Sequence, residues 1–353
     1  MLQKQYRKHL RARSSARAKT NEPIYAALDL GTNNCRLLIA SPTEGDMSMG
    51  KGLSIRDSFS RIVRLGEGIS SNGVLSEAAM KRTLDALKLC QKKLQKHGNP
   101  KGRFVATEAC RKAGNADHFV QRVRKEAGIE LDIITNEEEA ELAFHGCSSL
   151  LKPEVEHALV FDIGGGSTEF MWAKIDHGDG SGPMANKHTI LDWLSLDRGV
   201  MNLSEKFGGN AYAEAYFDEL VEEVKKRLQV FEEKNQIMQM IESRSVQLLS
   251  TSGTVTTLAA VHKDLKKYER SKIDGITMPI GDIRAVIERL LSMSPSARLR
   301  HPCIGVDRCD YIISGCAIVE AVARLWPIKA ITIADRGVRE GIIISLMRDA
   351  YHG

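Results

Sequence analysis

The amino-acid sequence predicts an α/β protein of two similar lobes facing one another across a cleft. Three observations lead there. The chain has 353 residues, room for two domains at roughly 100–200 residues each. Short apolar runs alternate with segments of helical period along most of its length. A strand–glycine turn–strand pattern with an aspartate just before the turn occurs twice, at Asp29 and at Asp162, 133 residues apart.

The first half begins near residue 23. Residues 24–30 are apolar, Gly31 opens a turn and 36–40 resume the run, as a hairpin does. A third strand is expected over 51–59. At Ser76 the period changes: Ser76 can cap a helix on which Met80, Leu84, Leu87 and Leu94 share one face. A strand over 103–107, a helix over 117–127 and a strand over 130–134 follow. A helix over 137–151 opens on a cluster of acids, which the positive end of a helix dipole favours.

The second half restarts the same order. A strand over 157–162, a glycine turn over 163–167 and a returning strand over 168–174 lead to a third strand over 187–196 and helical sequence over 210–235. Residues 246–250 and 329–334 read as buried strands, each leading through a glycine into a helix. Residues 176–186, with Gly178, Gly180, Gly182 and Pro183, read as an exposed connection. The expected divisions are a basic, disordered tail over 1–22, a first lobe over 23–136 and a second lobe over 137–337. A C-terminal helix over 338–353 is a candidate addition to the first lobe.

Composition excludes several classes. The chain is 42% hydrophobic, 27% charged and 5% aromatic, an ordinary balance for a globular protein. No apolar run approaches the roughly 20 residues that cross a bilayer, and the basic N-terminus lacks the apolar segment of a leader. The seven cysteines are scattered without a C-x-x-C pair, so reduced thiols and a cytoplasmic location are expected. His301 and Cys303 alone do not make a zinc site. Residues 1–23 hold seven Lys/Arg against Glu22, leaving 43 basic and 44 acidic residues elsewhere. The net charge of +5 therefore belongs to the tail and predicts no nucleic-acid partner for the body.

The two turns carry the chemistry. In Asp29-Leu30-Gly31-Thr32-Asn33-Asn34-Cys35-Arg36, Gly31 lets backbone amides approach an anion, Thr32 and Asn33 add donors, and Arg36 can add charge. Asp29 suits a metal ion or its water. An ordinary tight hairpin explains this stretch nearly as well. Asp162-Ile163-Gly164-Gly165-Gly166-Ser167-Thr168-Glu169 is more specific. Three consecutive glycines weaken a hairpin entropically, so a phosphate chain lying against bare backbone is the better reason for them.

These residues resemble those of the exopolyphosphatase/guanosine pentaphosphate phosphohydrolase family, which has the actin, sugar-kinase and heat-shock ATPase superfold. The likeness runs in order from residue 23 onward. It takes in Arg64-Leu65-Gly66-Glu67-Gly68, Ala106-Thr107-Glu108-Ala109-Cys110-Arg111 and Glu138-Glu139-Ala140. After the triple-glycine turn come Thr251-Ser252-Gly253-Thr254, Arg308-Cys309-Asp310 and Asp335-Arg336-Gly337-Val338-Arg339-Glu340-Gly341. The resemblance implies two actin-like (ribonuclease H-like) lobes with mixed sheets across an active-site cleft. The chain resembles the short members of the family, which lack a C-terminal helical domain. Thr32 and Asn34 stand where serines are usual, and Leu196-Asp197-Arg198-Gly199-Val200 replaces a proline-containing approach, with Arg198 a candidate to supply charge there.

The resemblance further implies hydrolysis of the terminal phosphoanhydride of inorganic polyphosphate, with Glu139 as base for the attacking water and Glu169 as its partner. Asp29, Asp162 and Glu169 would surround Mg²⁺. The phosphates would meet Gly31, Thr32, Asn33, Arg36, Gly164, Gly165, Gly166, Ser167, Thr168, Arg198, Ser252, Gly253 and Thr254. Glu137, Glu138 and Glu139 cannot all face one cleft from a helix; the resemblance selects Glu139, with Glu138 next. Arg111 reads as a phosphate or nucleotide contact or, as readily, a surface arginine at a helix start. Ser252 reads as an anion donor or a plain N-cap. The cluster over 335–340 reads as ion pairs at a hinge. A homodimer is implied, with the apolar faces of 312–325 as one contributor, although core is their simpler role. The rivals are a guanosine pentaphosphate 5′-phosphohydrolase, which would bind guanosine penta- or tetraphosphate, a sugar kinase, and a non-catalytic actin-like nucleotide switch.

Overall fold

The computed structural model describes residues 23–43, 53–177, 186–206, 216–243 and 246–352. The expectations for the 1–22 tail, most of the 176–186 connection, the first residues of the 51–59 strand and the first residues of the 210–235 helix fall outside these residues.

Two mixed sheets form the frame. The first contains β1 (Tyr25–Leu30), β2 (Asn34–Pro42), β3 (Leu53–Ile62), β4 (Lys101–Ala106) and β5 (Asp132–Ile133), in the order β3-β2-β1-β4-β5. The second contains β6 (His157–Ile163), β7 (Thr168–His177), β8 (Asn186–Leu196), β9 (Val246–Thr251), β10 (Thr277–Pro279) and β11 (Ala330–Ala334), in the order β10-β11-β9-β6-β7-β8. In each, a meander of three antiparallel strands is followed on the other side of its first strand by parallel strands. Removing the edge strand β10 makes the two orders the same. The repeat read from the glycine turns is therefore a repeat of whole lobes.

The helices sort by face. α1 (Glu77–Lys96) and α2 (Ala116–Ala127) cover the outer face of the first sheet, where Ala26, Leu28 and Leu30 pack with Met80, Leu84, Leu87 and Phe119. The alternate residues Tyr25 and Ala27 face the opposite side, as the two-residue period of a strand requires. Ser76 caps α1, its hydroxyl accepting from the amide of Ala79. α3 (Asn136–Cys147) and α8 (Val338–His352) lie between the sheets, in one core with Tyr25, Ala27 and Leu38 of the first and Ala158, Val160 and Met171 of the second. α4 (Phe217–Asn235), α5 (Gly253–His262), α6 (Ile280–Ser292) and α7 (Ile312–Leu325) cover the outer face of the second sheet.

The middle pair of helices is packed backbone against backbone. A Cβ on Gly341 would stand 1.9 Å from the Leu142 carbonyl oxygen, so only glycine permits this crossing. α8 also packs on β1 and β2.

Two expectations change, and a third is decided. The 137–151 helix ends at Cys147 and continues as the 3₁₀ turn Ser148–Leu150. The 130–134 strand shrinks to two residues, because its edge position gives it one partner, β4. The apolar faces of 312–325 take the simpler of their two roles, core, since Ile313, Cys316, Ala317 and Ile318 are fully buried.

Candidate active site

The glycine turns are positioned by the strand pairs that carry them. Gly31 N–H donates to the Asn34 carbonyl at 2.9 Å, and Gly164 N–H donates to the Ser167 carbonyl at 2.9 Å, closing both turns in the same way. The flanking carbonyls are tied away from the turn mouths. The Thr32 carbonyl accepts from Gly66, and that of Asn33 from Val63 and Arg64. Thus the stretch Arg64-Leu65-Gly66 buttresses the first turn. The carbonyls of Gly164, Gly165 and Gly166 accept from Val200 N, Met201 N and Asn202 Nδ2 of the short helix Val200–Lys206.

Among the described residues, the amides of Thr32, Asn33, Gly165, Gly166 and Ser167 have no protein acceptor. Such sets of unbonded amides make an anion-binding concavity. Gly199 makes the second buttress possible: a Cβ there would stand 2.4 Å from the Gly165 carbonyl carbon. The side-chain oxygen Oδ1 of Asn33 is buried without a partner, an orphan that a ligand would satisfy.

Both turns open into one cleft of about 410 Å³. It is lined by Asp29, Gly31, Thr32, Asn33, Arg36, Glu139, Asp162, Gly164, Gly165, Gly166, Ser167, Ser252, Gly253 and Thr254, all expected from the sequence. Ser252 caps α5, its hydroxyl accepting from the amides of Thr254 and Val255 at 3.1 and 3.2 Å. The N-cap reading of Ser252 therefore holds.

Four expected residues stand outside the lining. Glu169 is buried beneath it, opposite Asp162 in the β6–β7 ladder, and accepts from the Ser195 hydroxyl at 3.1 Å. Thr168 is fully buried and donates to the Arg198 carbonyl at 2.7 Å, so its hydroxyl serves the loop. Arg198 Nε donates to Glu223 of α4 at 2.6 Å, which holds the guanidinium away from the cleft and corrects its assignment as a phosphate contact. Arg111 lies behind the wall with its donors on Glu108, Glu139 and the Ile134 carbonyl.

Sequence reasoning missed Ser60, Arg61, Thr107, Glu108, Arg308 and Tyr311, which also line the cleft. Thr107, Glu108 and Arg308 fell within quoted motifs, so a signal existed for them. Arg61 lies on β3 and carried none. Of the three successive acids, only Glu139 reaches the cleft; Glu138 forms an ion pair with Arg103 at 2.6 Å, and Glu137 is exposed. The helical step separates them as expected.

Four carboxylates are crowded here, and all have raised pKa values. Burial pushes Asp162 up to about 7, with the charges of Glu139 and Asp29 adding and Arg36 opposing. Burial likewise pushes Glu169 up to about 7, against the hydrogen bond from Ser167. Burial raises Glu139 well above the usual range, Glu169 adds, and Arg111 opposes. Burial raises Asp29, with Arg36 and Arg339 opposing. Buried like charges of this kind call for a cation or protons. Among the described residues no three His, Cys, Asp or Glu side chains are grouped to hold a metal ion unaided.

The cluster over 335–340 is structural. Arg336 pairs with Asp274 at 2.7 Å, Arg270 with Glu340 at 3.0 Å, and Tyr268 donates to Asp335 at 2.6 Å. All seven cysteines are buried free thiols, and no helix among the described residues is long and apolar enough to cross a membrane.

Comparison with known proteins agrees with this geometry. Residues 47–350 match the model of the Ppx/GppA phosphatase family. The chain is 29% identical over 336 residues to a bifunctional 3-dehydroquinate synthase/phosphatase of Fusobacterium nucleatum, covering 92% of this chain and 46% of that protein. It is 29% identical to exopolyphosphatase 2 of Mycobacterium tuberculosis over 91% of this chain and 98% of that one. It is also 29% identical to a guanosine-5′-triphosphate,3′-diphosphate pyrophosphatase of Aeromonas salmonicida, over 93% of this chain and 60% of that one. The chain thus spans about half the length of some curated relatives and nearly all of others. A solved structure of the Aquifex aeolicus member of the Ppx/GppA family superposes with a TM-score of 0.71 at 27% identity, covering 94% of this chain and 99% of that one.

Proposed function

The chain belongs to the Ppx/GppA phosphatase family, and we propose on that premise that it is an exopolyphosphatase releasing orthophosphate from the end of inorganic polyphosphate. The observation that carries this reading is the pair of glycine turns opening into one cleft with Glu139 on its wall. The two sets of amides, with Arg36, hold consecutive phosphates of a chain. Gly253 and Thr254, at the start of α5, meet its more distant part with the positive end of a helix. Thr168, Arg111 and Arg198 are left out of the phosphate set because their donors are bonded within the protein.

Glu139 takes the proton of a water lined up with the terminal bond. Its raised pKa makes it a stronger base than an ordinary carboxylate once ionised. Glu169, beneath the turn, orients that water with the help of the Ser195 hydrogen bond.

The donor set fits a divalent cation, which we take to be Mg²⁺. It consists of carboxylate oxygens alone, buried and short of positive charge. Asp29 and Asp162 would hold it, with Glu169 behind them, and the remaining ligands would be water and phosphate oxygens. When bound, the ion neutralises charge on the phosphoryl oxygens.

Guanosine pentaphosphate is the second reading, favoured by the equal identity of the Aeromonas relative. Phosphate release from long-chain polyphosphate and from guanosine pentaphosphate, measured side by side with and without Mg²⁺, tests both. No release from polyphosphate would overturn the main reading. A cytoplasmic homodimer belongs to the same proposal, and light scattering of the full chain checks the dimer.

A further inference from the structure

We propose that Arg111 is a positioning residue for Glu139, and that Glu108 is the anchor that holds it in place, so that neither contacts the phosphate chain. This rests on the reading of Glu139 as the base. The guanidinium of Arg111 ties three elements together. Nε and Nη2 donate to Glu108 Oε2 at 3.2 and 2.9 Å, Nη2 donates also to Glu139 Oε2 at 2.7 Å, and Nη1 donates to the Ile134 carbonyl at 2.8 Å. An arginine has five N–H donors in a fixed plane, and these contacts commit four of them.

The arginine lies behind the cleft while both of its carboxylates line it. Its planar guanidinium, held by Glu108 and the Ile134 carbonyl, therefore sets where the single hydrogen bond to Glu139 of α3 is made.

Glu108 needs an explanation of its own. A buried carboxylate in a cleft built for polyphosphate repels the substrate unless it is neutralised. Two cations do so: Arg111 on Oε2, and Lys112 Nζ on Oε1 at 2.8 Å. Lys112 in turn pairs with Asp197 of the second lobe. Glu108 also packs under the triple-glycine turn, its Cγ 3.1 Å from where a Cβ on Gly166 would stand. The acid is thus neutralised before it faces the phosphates, and it fixes the guanidinium through Nε and the same Nη2 that serves Glu139. Without it, Arg111 is free to leave Glu139 for phosphate.

Steady-state kinetics on polyphosphate and calorimetric affinity for tripolyphosphate, both with the full chain, test this in Glu108→Gln, Arg111→Lys and the double variant. The expected result is a fall in kcat of roughly 10–100-fold, the scale of a misplaced catalytic group. KM and tripolyphosphate affinity stay within about twofold, and the double variant is no worse than the weaker single, because the pair acts as a unit. Glu108→Asp, which keeps the charge, restores part of the rate.

An Arg111→Lys variant with kcat intact and tripolyphosphate binding weakened about tenfold would overturn the proposal in favour of a phosphate contact. Wild-type kcat in Glu108→Gln would remove the anchor. If Glu108→Gln melts well below the wild type, Glu108→Asp and Arg111→Lys carry the same readings. A wild type that releases no phosphate from polyphosphate or guanosine pentaphosphate sinks the functional reading instead, and tripolyphosphate affinity then still reports whether Arg111 meets phosphate.

Discussion

Arg36 and Glu169 occupy the same place in the two lobes. Each stands directly across an antiparallel pair from the aspartate of its turn, Arg36 opposite Asp29 and Glu169 opposite Asp162. The repeat has placed a cation in one copy and an acid in the other, Arg36 on the cleft wall and Glu169 buried beneath it. Arg36 lowers the pKa of both Asp29 and Asp162. Among the described residues its guanidinium makes no hydrogen bond or ion pair, which leaves its donors for a ligand.

Arg36→Ala is therefore expected to weaken binding more than chemistry. A charged hydrogen bond contributes about 1.5–3 kcal/mol, so KM for polyphosphate should rise by roughly 10–100-fold. Initial rates over a range of substrate concentrations measure this; an unchanged KM would put Arg36 outside the phosphate path.

Glu139→Ala should separate the two functions in the opposite sense. Removing a general base costs ~10²–10⁴-fold in turnover, while the amides of the turns and Arg36 remain. Polyphosphate should still bind tightly in a filter or calorimetric assay, with release of orthophosphate nearly abolished.

The crowded acids link pH, stability and metal. Asp162 and Glu169 are both pushed up to about 7 in the folded protein, against ~3.9 and ~4.3 in an unfolded chain. Between those values the folded state holds more protons than the unfolded one, so stability falls as pH rises from about 4 to about 7 and levels off above. Thermal melts of metal-free protein should show a higher Tm at pH 5 than at pH 8. Mg²⁺ should raise Tm more at pH 8, where the acids are ionised, than at pH 5, where it competes with protons.

The second turn should be intolerant of one methyl group at its support. In Gly199→Ala the new Cβ would meet backbone 2.4 Å away, and overpacking of this kind costs about 1–3 kcal/mol. Because the obstructed atoms belong to Gly165, phosphate release should fall even where the fold survives. Gly281→Ala is the control: nothing lies within 4 Å of its Cβ, and its Tm and activity should match the wild type.

Much of the frame was legible before any coordinates. Alternation of apolar runs, the capping Ser76 and the two aspartate-glycine turns depend on contacts within a few residues, and these signals survive in a linear sequence. They marked most of the strands and principal helices, and the 133-residue repeat marked the lobes. What was lost locally was lost for a physical reason: the edge strand β5 has one neighbour, so its sequence carries little strand pattern.

The sequence by itself determined that this chain has two aspartate-glycine turns between paired strands and an acidic helix start downstream of the first. Only the tertiary structure decided which side chains those features present to the cleft. Glu139 rather than Glu138 enters it because Arg103, on β4, takes Glu138. Arg198 is withdrawn by Glu223 of α4, and Arg111 is divided between Glu108 and Glu139. Arg61 on β3 and Arg308 beyond α6 meet across one cleft although some 250 residues separate them. The period of a strand or helix tells which residues share a face, but what that face meets is set by how the two lobes pack on α3 and α8. That packing is a property of distant segments, and no local pattern records it.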